Sequence, residues 1–163
     1  MKPGGRVALA CAAIALAATL LSGCSPAAVV LDRSPLIPTE VAPDSRPAFV
    51  DDPQDASHPL PASVAEGLRL DDEVLATVRY QGDWYGQHLY LYDGHGTVIL
   101  LGVELDDPDL WNTGSSAGNV PFAMESGDLT EGEEWFLQYV PQGTADLPDG
   151  WTAFSPWLAS RDS

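Results

Sequence analysis

The sequence predicts an all-β domain, a small antiparallel sandwich or barrel of five to seven strands. Three observations carry that prediction. Apolar and polar residues alternate with a period of two in short runs between Val74 and Leu158. Glycine-rich stretches of turn formers separate the runs. Thirteen of the fourteen aromatic residues lie between Tyr80 and Trp157, and Phe49 is the exception.

The elements follow in chain order. "SVAEGLRL" (63–70) is the one helix candidate after the proline-rich stretch, weakened by Gly67. "EVLATVRY" (73–80) alternates Val74, Ala76, Val78 and Tyr80 against Leu75, Thr77 and Arg79, which predicts a strand. "QGDWYGQ" reads as a loop. "HLYLY" (88–92) and "TVILLGVEL" (97–105) flank Asp93-Gly94-His95-Gly96 and predict a hairpin, with glycine supplying the positive φ of the turn. A four-residue loop pairs Tyr92 with Thr97 and Tyr90 with Ile99. Leu89, Leu91, Val98 and Leu100 then share one face, and His88, Tyr90, Tyr92, Ile99 and Leu101 the other. A hairpin apolar on both faces belongs in the middle of a layered fold. Residues 106–132 read as a long connection with a short strand at "NVPFAM". "EEWFLQYVP" (133–141) is a strand. "GWTAFSPWL" (150–158) is a last one, with Pro156 marking an edge.

Residues 25–63 contain eight prolines and no stable hydrophobic period, which predicts an extended, disordered tether. The globular domain is placed at 64–160.

The N-terminus has its own pattern. Lys2 and Arg6 precede fifteen uncharged residues from Val7 to Leu21. A charged start and a short apolar run form a secretory signal, and the run is short for a spanning helix. Small residues and a cysteine follow. Leu21-Ser22-Gly23-Cys24 resembles the lipobox of bacterial lipoproteins. That resemblance implies a diacylglyceryl group on the Cys24 sulfur, cleavage of residues 1–23 and a new N-terminus at Cys24. Acyl chains on Cys24 would anchor an extracytoplasmic protein to the membrane without spanning it. Residues 24–63 then form the lipidated tether.

From Cys24 onward there are five basic and 24 acidic residues, a net charge of −19. Nucleic-acid binding is excluded as an expectation, because phosphates need clustered Lys and Arg. An anionic membrane surface repels such a domain, so lipid must hold it there. No lysine follows Lys2, which excludes Schiff-base chemistry. Cys11 leaves with the signal and Cys24 carries lipid, so no disulfide is expected.

The chain shows no His-Glu-x-x-His, no Cys/His ligand spacing and no Gly-x-Ser-x-Gly elbow, and no cofactor is expected. The expected function is a non-catalytic binding or assembly module acting on an envelope protein or a glycan. Trp84, Tyr85 and Trp111 fall in predicted loops, and Tyr90 and Tyr92 on one hairpin face. These five are the candidate ligand or partner contacts, since flat rings serve as hot spots or sugar platforms. Two alternatives stand beside this reading. Glu104, Asp106, Asp107 and Asp109 supply oxygens for a calcium-stabilised module. His88 or His95 with loop carboxylates would serve a small envelope hydrolase.

Overall fold

The computed structural model describes residues 36–128 and 133–162, with side chains at 125–128, 133–135 and 162 left aside. Residues 1–35, with the signal segment and Cys24, lie outside the described residues. Among the described residues eight strand segments form two antiparallel sheets of four. β1 (Arg79–Trp84), β2 (Gln87–Asp93), β3 (Thr97–Glu104) and β4 (Trp111–Ala117) lie in that order in the first sheet. β5 (Phe122–Asp128), β6 (Glu133–Tyr139), β7 (Thr152–Ala153) and β8 (Leu158–Asp162) form the second, in the order β5-β6-β8-β7.

The sheets share one core. Leu89, Leu91, Val98 and Leu100 from the first sheet meet Phe122, Leu137, Tyr139 and Leu158 from the second. Each such buried side chain contributes roughly 1.5–3 kcal/mol. The opposite face of the first sheet is also apolar, with Tyr90, Tyr92, Leu101 and Val103. It is covered by Val64 of α1 (Ala62–Leu68) and Val74 of α2 (Asp72–Leu75), with Val78 beside them. Both hairpin faces divide as the sequence predicts. The register differs: Asp93 pairs with Val98 and Tyr92 with Ile99, two residues from the expected alignment. A shift of two preserves which side chain faces which way, because the strand period is two.

The expected strand at 73–80 is in fact α2 followed by the start of β1. Asp71 caps α2, its carboxylate accepting from the Val74 N–H at 2.9 Å, and Asp72 and Glu73 fill the first turn, where acidic groups suit the helix dipole. Val74 and Val78 are four apart, so the alternation also fits a helical face. The expected loop "QGDWYGQ" is mostly strand. Only Tyr85 and Gly86 lie outside β1 and β2, with Trp84 paired to Gln87. Their φ values are 45° and 80°, the two positive angles of a type I′ hairpin turn. The expected long connection at 106–132 contains β4 and β5. β4 reads "WNTGSSA" and gives no apolar alternation because it is an exposed edge.

Residues 36–63, assigned to the tether by their prolines, pack on the sheets. Phe49 and Val50 join the shared core, with Phe49 wholly buried in the 3₁₀ turn Ala48–Asp51. Ile37 is buried with Val140 and Ala159 against the second sheet. The buried Gln138 side chain acts there like a neighbouring strand. Its Oε1 accepts from the Ile37 N–H at 2.8 Å, and its Nε2 donates to the Ile37 carbonyl at 3.0 Å. Prolines lack the N–H of a strand, so this segment packs as irregular chain. Among the described residues no helix is long and apolar enough to cross a membrane.

Candidate functional site

Two places on the first sheet gather chemically distinctive side chains. One is its end, formed by the β1–β2 and β3–β4 turns. Trp84, Gln87, Glu104 and Leu110 lie in register across the strands there. The Leu105 N–H donates to Gly86 O at 2.8 Å, and the Glu104 N–H donates to Leu110 O at 3.0 Å, which holds the two turns together. Tyr85 is 63% exposed, Leu110 58%, Leu105 43% and Trp111 40%. Trp84 is half-buried and supports Tyr85 from behind, with ring centroids 5.1 Å apart at 73°, and it also meets Phe154, with centroids 4.9 Å apart. Phe154 reaches it across Gly82, where a Cβ would stand 3.0 Å from the Phe154 ring.

Tyr85 occupies a left-handed conformation, which disfavours side chains with a Cβ by about 1 kcal/mol or more. Asn-Gly is the ordinary choice at such a turn. A large aromatic residue is kept here against local preference and pointed at water. Glu104, Asp106, Asp107 and Asp109 lie at the end of β3 and in the β3–β4 turn at the same end of the sheet, and no lysine or arginine lies between Arg79 and Arg161. The end of the sheet is an apolar tip in a negative field.

The second place lies on the outer face near β1. His58 stacks on Tyr80 with centroids 4.2 Å apart and planes 11° off parallel. His88 stands 5.7 Å from His58 and 5.6 Å from Tyr80, edge to face. The Tyr80 hydroxyl donates to Asp83 Oδ1 at 2.6 Å, and His88 Nδ1 meets the same oxygen. Those two contacts hold the Asp83 carboxyl below its usual range, the tyrosine first and the histidine second. Burial, then the Asp83 contact, pushes the Tyr80 hydroxyl up. Asp55, His58 and Tyr80 line a cavity of about 240 Å³ with Leu60, Leu75 and Val78.

Ser57, His58 and Asp55 resemble a hydrolytic triad only in composition. A relay needs hydroxyl and carboxylate on opposite ring nitrogens. Here Ser57 Oγ and Asp55 Oδ2 both meet His58 Nδ1, at 3.1 and 2.9 Å, and the Ser57 hydroxyl donates to Asp55 Oδ1. The arrangement is a polar turn that fixes the loop over Tyr80. The Ser57 hydroxyl, then His58, then the Ser57 N–H lower the Asp55 pKa from 3.8 to about 2. A depressed folded-state pKa gives stability that is full above the unfolded value and lost as pH falls through the folded one. The melting temperature is therefore expected to fall more steeply between pH 4 and pH 2 in the wild type than in Asp55→Asn, as thermal melts followed by circular dichroism will show.

The structure brings Tyr85 and Trp111 to one end of the sheet, with Trp84 beneath Tyr85. It separates them from Tyr90 and Tyr92, which are 1% and 3% exposed under the helices. The Tyr90 hydroxyl donates to Pro59 O at 3.3 Å. These two tyrosines are core residues and offer no surface to a partner. His95 sits at the opposite hairpin tip, its Nε2 3.0 Å from Asp71. Leu105 and Leu110 belong to the tip and escaped the sequence reading. Their signal was two leucines bracketing the acidic turn "DDPD". In that turn Glu104 accepts from Gln87 Nε2 at 2.7 Å, and Asp107 accepts from the Asp109 N–H at 3.2 Å. Among the described residues no three His, Cys, Asp or Glu side chains converge as metal ligands.

No known protein family, no curated protein and no solved structure matches this chain.

Proposed function

We propose that this chain is an extracytoplasmic lipoprotein, held to a membrane by acyl chains on Cys24, that binds an envelope protein through the tip formed by Tyr85, Leu105, Leu110 and Trp111. The exposed tip carries the proposal, because clustered large apolar side chains at the surface of a small domain mark interaction sites. The left-handed Tyr85 supports it, since strain of this kind is retained where a side chain is needed for contact. Aromatic anchors at interfaces lose roughly 2–4 kcal/mol of binding when truncated. The lipobox resemblance supports the anchor. A glycan ligand is the second reading for the same rings, since the carboxylates of Glu104, Asp106, Asp107 and Asp109 at the same end of the sheet could accept from sugar hydroxyls.

Tyr85→Asn separates stability from binding. Asparagine suits the left-handed turn, so the variant is expected to gain about 0.5–1 kcal/mol of stability. In the same variant, cross-linking of the full-length protein in its own cells should recover its partner at a tenth of the wild-type yield or less. A stabilised variant that keeps full yield would remove Tyr85 from the interface.

A further inference from the structure

Among the described residues the two sheets present four edges, and three of them are blunted. β1 carries Asp83 and a register break between Tyr80 and Gly82. β7 has only two residues. β5 follows directly on Pro121, which has no N–H to offer a new strand. Charges, breaks and short length are the devices that keep sheet edges from pairing with other chains. β4 has none of them. From Leu110 to Met124 fifteen residues carry no charge, in a chain with 24 acidic residues, and β4 itself contains no proline. Five of its seven residues are exposed.

The direction of its backbone groups follows from the ladder. Glu104 N–H donates to Leu110 O and Gly118 N–H to Gly96 O, at the two ends of the β3–β4 pairing. Antiparallel pairs alternate between bonded and non-bonded. Asn112, Gly114 and Ser116 therefore bond to β3, while the N–H and C=O groups of Trp111, Thr113, Ser115 and Ala117 face the open side. Among the described residues no strand pairs with that side. The edge begins at Trp111, within the tip, directly after Asp106, Asp107 and Asp109.

We propose that the open edge of β4 takes an extended segment of a partner protein as an added strand, with Lys or Arg side chains of that segment set against Asp106, Asp107 and Asp109. This rests on the reading of the tip as a contact surface and gives its mode of recognition. Main-chain hydrogen bonds to Trp111, Thr113 and Ser115 would supply affinity, and alternate side chains beside Trp111 would supply specificity. Charge decides the chemistry of the occupant. A second mature copy brings a further net charge of −19, whereas a basic segment is attracted.

The test uses the full chain in detergent and a synthetic peptide of alternating valine and threonine ending in three lysines. A second peptide ends in three glutamates. The lysine peptide should bind at least tenfold tighter than the glutamate peptide and slow amide exchange at Trp111, Thr113 and Ser115 at least tenfold. Ser115→Pro removes one outward N–H and leaves the β3 ladder intact. It should weaken the lysine peptide at least tenfold, with Ser115→Ala unchanged. Ser115→Lys sets a charge on the edge and should weaken it likewise, which keeps the test open if the proline variant fails to fold. Equal binding by Ser115→Lys and wild type, unprotected amides, or a dimer abolished by Ser115→Lys would each overturn the edge proposal. Tyr85→Asn tests the tip separately, so loss of one reading is distinguishable from loss of the other.

Discussion

Arg79→Lys is expected to destabilise the protein by about 3 kcal/mol, although it preserves charge. Arg79 is 8% exposed and spends its guanidinium on four backbone carbonyls. Nε donates to Asp52 O at 2.5 Å and Nη2 to Val50 O, while Nη1 donates to Ala76 O at 2.8 Å and Val78 O at 2.9 Å. One side chain thus ties the 50–52 segment and the turn after α2 to the start of β1. Burial pulls the Arg79 pKa down, and nearby Asp52 and Asp51 oppose that shift. Lysine carries its three donors on one atom and cannot reproduce the fork. Two or more buried carbonyls would lose their partners, at about 1–3 kcal/mol each before relaxation. For a domain of this size the change corresponds to roughly 10 °C in Tm. A Tm within two degrees of the wild type would show that Arg79 is not the clamp described above.

Phe49→Ala should cost as much or more, about 3–5 kcal/mol by the usual cost of emptying a phenylalanine site. Phe49 is wholly buried in the core between the sheets. Its ring meets Tyr139 edge to face, with centroids 5.9 Å apart at 88°, a geometry that adds to area burial. The same substitution in a solvated tether would cost nothing measurable. Chemical denaturation with the midpoint and slope both fitted is the measurement. A loss below 1 kcal/mol would return residues 36–63 to the tether.

Phe49 also shows where the sequence is legible and where it is not. Prolines remove hydrogen-bond donors and break periodicity, so a proline-rich segment looks the same whether it is solvated or packed as irregular chain. Only the isolated "AFV" at 48–50 hinted at burial. The β2–β3 hairpin was readable because its two apolar faces obey a strict period of two, and that period survives a register error of two. β4 was not readable, because an exposed edge strand buries little and so leaves no hydrophobic pattern. Val74 and Val78 satisfied a strand and a helix equally, and the Asp71 cap decided between them. At the site, Tyr85 and Trp111 were legible as large rings among turn formers. Tyr90 and Tyr92 misled because the helices that bury them could not be placed from sequence.

The central claim is that the tip of the first sheet is the contact surface. A photo-reactive phenylalanine analogue placed at residue 85 of the full-length protein, in its own cells, tests it most directly. The same analogue at residue 95, on the opposite hairpin tip, is the control. The account predicts one dominant cross-linked protein from residue 85 and none of it from residue 95. Equal cross-linking from both positions, or none from residue 85, would contradict it.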